Sequence, residues 1–263
     1  MENLTYIIPV FNLCEYRICN LQKILNDIIS HNCDIIIAEQ YTESSTLQSV
    51  LSGYNSNKIR HIKLKSSSKN ILKSKLINIS TRFVNTSHFF LHDVDLSLNY
   101  KQLYGYYNNK IEHDYIQPFE IARDLSKQET ILYKSGKLKH IEYFPPNTKI
   151  NKIRHVNVYG ALGFIIKKSI FEKNKGFDES YTGWGYEDFD FFMRIHHPLP
   201  LNPLISIPRG VNGVHMWHPP SDSSEYHSNL AIFKHKGFTR GKINTLLKRY
   251  YYPDWDYDVL EPV

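Results

Sequence analysis

The sequence predicts an α/β fold, a mostly parallel sheet with helices on both faces, in a single domain spanning residues 1–263. Two observations carry that expectation. Short runs that are apolar throughout alternate with stretches whose apolar residues recur at helical spacing, the pattern of a parallel sheet buried on both sides. Polar residues then gather directly after those runs, where open sheets of this class bind ligands.

Taken in order, Tyr6 to Val10 reads as the first strand, running into a loop at Asn12. Ile18, Leu21, Leu25, Ile28 and Ile29 mark a helix over 17–29. Cys33 to Ala38 is a second buried strand ending in Glu39 and Gln40, followed by a short helix over 44–51 and a third strand over 59–64. Ser66 to Asn70 is a polar loop before a helix over about 71–84. His88 to His92 is the fourth strand, ending at Asp93-Val94-Asp95. From Tyr100 to Arg154 the pattern weakens, and Pro118, Gly136 and Pro145-Pro146 suggest loops with one or two strands shaping an acceptor channel. Val156 to Ile166 is a further strand region, interrupted by Gly160 and Gly163, a helix runs from near Asp188 to about His196, and another from Glu225 to about Lys236. On this reading residues 1–97 form a nucleotide-binding half, 98–220 an acceptor-binding half and 221–263 a C-terminal helix and tail.

Composition narrows the class. An apolar share of 41% with 14% aromatic residues fills a real core, and the nineteen tyrosines suit a sugar or nucleotide site as well as a core. The net charge of +6 admits an anionic substrate, an anionic membrane surface or nucleic acid. Nucleic acid is set aside because no helix-turn-helix or aromatic RNA-binding signature is present. Cys14, Cys19 and Cys33 are odd in number and lack metal-type spacing, so they read as thiols of a reducing compartment. No export signal or spanning apolar stretch is visible, so the expected location is cytoplasmic, with the basic surface suited to peripheral contact at the inner face of a membrane.

Three constellations carry chemistry. Asp93 and Asp95 follow a strand, where two carboxylates two residues apart can hold a hard divalent cation and a diphosphate. Histidines three apart, His215 and His218, can face one ion, although a pair of loop histidines making ordinary hydrogen bonds has the same spacing. The stretch from Gly176 to Asp190 mixes three glycines, Trp184, Tyr186 and the acids Glu187, Asp188 and Asp190. That mixture suits a pocket that stacks a sugar and removes a proton from its hydroxyl; a helix N-terminus with acids in its first turn is the plainer reading.

Leu91-His92-Asp93-Val94-Asp95-Leu96 and Gly176-Phe177-Asp178 through Trp184-Gly185-Tyr186-Glu187-Asp188-Phe189-Asp190 resemble the beta-1,4-galactosyltransferase family and its bacterial, chondroitin-polymerase-type relatives. Ile7-Ile8-Pro9-Val10-Phe11-Asn12 is similar to the first strand and nucleotide loop of GT-A glycosyltransferases, and Lys75-Leu76-Ile77-Asn78 to the family's helix before the metal motif. The resemblance implies a GT-A fold, a UDP-sugar donor, a glycan or lipid-linked glycan acceptor, and Mn2+ (or Mg2+). It implies Asp188 as the base, with Glu187, Trp184 and Tyr186 on the acceptor and Trp184 in a loop closing over the donor. It also implies metal ligation by Asp95 and His218, with His215 where the family has a methionine, and donor contacts from Pro9, Asn12, Arg17, Gln40, Lys75, Asp93 and Tyr159. The sequence departs from the family at Tyr186, where glycine is typical, and at Gly160-Ala161-Leu162-Gly163, which replaces an adjacent glycine pair. Two rival readings are a sugar nucleotidyltransferase, which would want a glycine-rich phosphate loop absent from 12–17, and a non-catalytic sugar-binding protein, which would have little use for Asp188, Asp95 and both histidines together.

Overall fold

The structure is a computed structural model, and it describes residues 4–31, 33–45, 47–54, 57–119, 121–138, 155–156, 163–196, 205–206, 211–239 and 241–242. A seven-stranded sheet forms its centre. In chain order come β1 (Leu4–Phe11), α1 (Glu15–Ile28), β2 (Asp34–Tyr41), α2 (Leu47–Leu51), β3 (Ile59–Lys65), α3 (Lys73–Thr81), β4 (His88–His92), β5 (Leu96–Leu98), α4 (Tyr100–Asn108), β6 (Tyr115–Ile116), β7 (Ile121–Asp124) and α5 (Lys127–Lys134). They are followed by β8 (His155–Val156), β9 (Gly163–Lys167), α6 (Lys168–Lys173), α7 (Glu187–His196), β10 (Ile205–Ser206), β11 (Asn212–His215) and α8 (Tyr226–His235).

The large sheet runs β10-β6-β9-β4-β1-β2-β3, with β9 antiparallel to both its neighbours and the other pairings parallel. A second, four-stranded sheet runs β5-β11-β7-β8. Alternation along each strand sorts the core into two layers. Tyr6, Ile8, Ile35, Ile37 and Phe90 face one way, against Leu21, Ile24 and Leu25 of α1 and Leu103 of α4. Ile7, Ile36, Phe89, Leu91 and Phe164 face the other, against Ile77 of α3, Phe171 of α6 and Phe191 of α7. The mostly parallel sheet with helices on both faces is therefore present as read from the sequence.

Two local expectations need correction. Residues 100–134 hold two helices, not only loops and strands: α4 is capped by Asn99, whose side chain accepts from Gln102 N, and α5 opens on a capping box between Ser126 and Glu129. Within 156–166 the described strands lie in different sheets. β8 pairs with β7 in the small sheet, whereas β9 pairs with β4 in the large one. β3 is not apolar throughout, because as the edge strand it has exposed residues at 60, 63 and 65, where charge discourages pairing with another chain.

Two positions show the backbone deciding the residue. Pro9 lies inside central β1, yet the β4 ladder stops at Ile7↔Leu91, so its missing N–H costs no sheet bond on that side. Gly163 has φ +138, and a Cβ there would come within 2.2 Å of the Leu91 carbonyl oxygen. Only glycine lets β9 approach the end of β4 that leads into Asp93. All three cysteines are free thiols. Among the described residues no helix is long and apolar enough to cross a membrane.

Candidate active site

The turn Asp93-Val94-Asp95 follows β4 on the sheet's carboxyl edge and presents its two carboxylates to different neighbours. Buried His92 anchors the approach, with Nδ1 2.8 Å from the Asp93 carbonyl and Nε2 2.9 Å from the Tyr100 hydroxyl. Burial pushes its pKa down to about 4, so the anchor is a neutral ring.

Asp95 is the centre of the first cluster. Its Oδ2 is 3.1 Å from His218 Nε2 and its Oδ1 is 3.5 Å from His215 Nε2. One ligand atom from each of Asp95, His215 and His218 lies within 4.8 Å of the others. A carboxylate with two imidazoles is a donor set suited to a borderline divalent ion such as manganese. The second nitrogen of each ring is engaged. His215 Nδ1 is 2.8 Å from Asp124 Oδ1, and His218 Nδ1 is 2.6 Å from the Pro219 carbonyl, which leaves each Nε2 toward Asp95. Burial works against charge on His215, but Asp95 and Asp124 outweigh it and raise its pKa to about 10. The residues present fit a divalent ion. Arg17 stands beside them, with Nη2 3.2 Å from the His218 ring and 2.9 Å from Ser221 Oγ, and Nε 3.8 Å from Asp95.

Asp93 belongs to a second cluster. Lys73, the first residue of α3, places its ammonium 3.6 Å from Asp93 Oδ1, 3.2 Å from Glu187 Oε1 and 3.0 Å from Asp188 Oδ2. Glu187 and Asp188 open α7, where the helix dipole favours acids. Asp188 Oδ1 is buried with no hydrogen-bond partner among the described residues. Burial raises the Asp188 pKa to about 8. Glu187 and Asp93 push the same way, and Lys73 only partly opposes them. Asp190 is different in kind. Its Oδ1 meets Lys236 and Tyr181, its Oδ2 meets Arg194 Nε, and the side chain is fully buried.

The loop before α7 is braced from several sides. Gly183 N donates to Ile71 O, and Asn229 of α8 bonds the Thr182 and Trp184 backbone. Trp184 is 49% exposed and stacks on Tyr226 at 5.6 Å. Tyr186 takes the glycine-like φ of +70, with its ring against Tyr226 and Phe233 and its hydroxyl 2.9 Å from Tyr226 Oη. Asn78 of α3 holds the corner at 176–177 through Phe177 N and O, which joins the Lys75–Asn78 segment to the Gly176–Asp190 string in space.

The sequence-named residues thus fall into distinct places. Asp95, His215, His218 and Arg17 meet at one end of the turn, and Asp93, Glu187 and Asp188 at the other. Asn12 lies exposed at φ +40 just past β1. Gln40 uses both ends of its amide to brace the 70–72 loop, through Asn70 O and Leu72 N. Lys75 is exposed on α3, and the amine that enters the site is Lys73, two residues earlier. Tyr159 lies outside the described residues. Sequence reasoning missed Lys73 and Asp124; the Ser126–Glu129 capping box could have placed a helix directly after Asp124.

Residues 147–198 match the family described as "N-terminal domain of galactosyltransferase", over a segment that contains the Gly176–Asp190 string. S. aureus TarS 1–349 in complex with UDP-GlcNAc superposes with TM-score 0.57 at 15% identity, covering 88% of this chain and 65% of that one. This chain has the GT-A glycosyltransferase fold. GalNAc-T7 with UDP, GalNAc and Mn2+ gives TM-score 0.55 at 13% identity over 83% and 45% of the two chains. A mannosyltransferase from Pyrobaculum calidifontis with GDP-Man and Mn2+ gives 0.52 at 12% over 86% and 59%. The GT-A chain described here spans 60% of the length of a second S. aureus TarS 1–349 structure. No curated protein sequence matches it.

Proposed function

We propose that this protein is an inverting, metal-dependent glycosyltransferase. In this reading it moves a sugar, galactose or N-acetylgalactosamine by preference, from a UDP-sugar to a hydroxyl of a glycan or lipid-linked glycan, in bacterial surface polysaccharide or lipooligosaccharide synthesis. The observation that carries the reading is that one three-residue turn touches both required functions: Asp95 meets two imidazoles, and Asp93 reaches the candidate base Asp188 through Lys73. The complexes of related fold support the donor class, since they contain UDP-GlcNAc in one case and UDP with GalNAc and Mn2+ in another. The galactosyltransferase match supports the preferred sugars.

Asp95, His218 and His215 would hold the ion, Mn2+ or Mg2+, which supplies positive charge against the diphosphate of the leaving UDP. Arg17, beside that set, adds a fixed cation for the same phosphates. Asp188 Oδ1 accepts the proton of the acceptor hydroxyl as that oxygen bonds to the anomeric carbon. The bond from that carbon to the phosphate oxygen breaks, and its electron pair leaves with UDP. Glu187 holds the acceptor, and Trp184 offers its exposed indole face to a sugar ring. Residues 1–97 act as the nucleotide half, 98–220 as the acceptor half. The basic surface supports cytoplasmic work at an anionic membrane, which fails as an idea should the protein ignore anionic vesicles at low salt.

The test is UDP release from UDP-galactose, UDP-N-acetylgalactosamine and UDP-N-acetylglucosamine with manganese, with and without a chelator. Metal-independent turnover would overturn the ion's place in this reading, and release from none of the three would overturn the donor class.

A further inference from the structure

We propose that Lys73 is a positioning residue that ties the base Asp188 to the donor-side turn at Asp93, fixing one carboxylate oxygen so that the other is aimed for proton removal. The inference rests on the glycosyltransferase reading of the same site. Lys73 sits at the first position of α3, where the helix dipole disfavours a cation. Its N-cap neighbour Leu72 offers no side-chain cap, and Leu72 N is met instead by Gln40 Oε1. A cation in that place is stabilised by carboxylates from outside the helix, and it has three, from the Asp93 turn and from the mouth of α7.

The comparison with Asp190, two residues further along α7, separates positioning from packing. Both oxygens of Asp190 are engaged by protein donors, as a structural ion pair requires. Among the described residues Asp188 is held through Oδ2 alone, and its Oδ1 is left buried without a donor. A carboxylate fixed at one oxygen keeps its orientation while the other keeps a free lone pair. The groups that face Asp188 are Lys73 from α3, Asp93 from the turn, Glu187 beside it and Tyr115 from β6. Lys73 is the cation among them. It also spans the boundary between the donor turn and the acceptor-side helix, so the base is aligned only when both are in place.

The experiment compares wild type, Lys73→Gln and Lys73→Arg by donor hydrolysis, read as UDP released with manganese from whichever of the three UDP-sugars turns over. Manganese binding to the same proteins is followed by electron paramagnetic resonance. For Lys73→Gln the expected result is a kcat loss of roughly hundredfold, the lower end of what a positioned base contributes. The acid limb of its pH profile should move up by about 1–3 pH units, as when an opposite charge is removed from a carboxylate. Manganese affinity should be unchanged, and Lys73→Arg should recover most of both losses. A raised donor KM with unchanged kcat and pH profile would overturn the inference, assigning Lys73 to donor binding. A kcat loss with an unmoved profile would reduce it to a packing role. Should Lys73→Gln fail to fold, Lys73→Arg carries the test alone, and a wild-type rate and profile for it support the inference, whereas a donor KM effect overturns it. Asp188→Asn is run beside them. Full activity there would remove the base assignment itself, whereas an inactive Asp188→Asn with an unaltered Lys73→Gln removes only this inference.

Discussion

His215 donates from Nδ1 to Asp124 Oδ1 over 2.8 Å, a contact set by the parallel register that places His215 directly across from Asp124 in β11 and β7. Because that nitrogen is committed, Nε2 is the atom offered toward Asp95 and the metal set. Such outer partners orient a ligand, and their loss typically costs 10–100-fold in metal affinity. Asp124→Ala is therefore expected to weaken manganese binding by about that factor. A manganese titration read by electron paramagnetic resonance checks it; unchanged affinity would leave His215 outside the ligand set.

Loss of the base should be felt in turnover and not in donor binding. Asp188→Asn keeps the shape and the Lys73 neighbour but cannot take a proton. Its kcat should fall by roughly 10²–10⁴, the range for a positioned general base. Donor affinity, measured by calorimetry with UDP and manganese, should stay near wild type.

The pH dependence follows from the same carboxyl. Burial and two acidic neighbours raise Asp188 to about 8, and the base works only when ionised. kcat/KM should accordingly climb as pH rises through the region around 8 and fall tenfold per pH unit well below it. A profile already flat from pH 6 upward would show that the group taking the proton titrates lower than Asp188 does here.

Gly163 offers a stability test away from the chemistry. Alanine there would meet the Leu91 carbonyl oxygen and would need φ near +138, so backbone strain and overpacking add. Gly163→Ala should cost roughly 2–5 kcal/mol, seen as a lowered denaturation midpoint. A wild-type midpoint would mean that β9 can draw away from β4 without penalty.

Asp178 predicts an acid-side change in stability. Partial burial works against its charge, but the Lys236 ammonium and the Ser180 backbone N–H outweigh that and hold the carboxyl at about 2. Its contribution is thus complete above the unfolded value of about 3.9 and is lost as pH falls toward 2. Asp178→Asn, which leaves the Lys236–Asp190 pair in place, should flatten the drop in thermal midpoint between those limits. The effect is expected to be small, because the pair is partly solvent-exposed.

The parts that were legible in the sequence are those whose cause is local. β1, β2 and β4 and α1 to α3 declare themselves by apolar runs and helical spacing, and Asp93 and Asp95 by following a strand. The Gly183 and Gly185 turns were legible because positive φ selects glycine. The helices over 100–108 and 127–134 were obscured by tyrosines and scattered breakers, although the capping box at Ser126 was available as a signal. Lys75 drew attention through its motif, yet helix phase puts it in solvent and turns Lys73 inward.

By itself, then, the sequence determined the alternating architecture, the carboxylates of the turn and of the α7 mouth, and the paired histidines. Tertiary structure decided which charges meet: Asp124 with His215 across two strands, and Lys73 with acids more than a hundred positions away. The reason is physical. Periodicity and capping act within a few residues, whereas an ion pair depends on sheet register and helix phase, which exist only once the chain has packed.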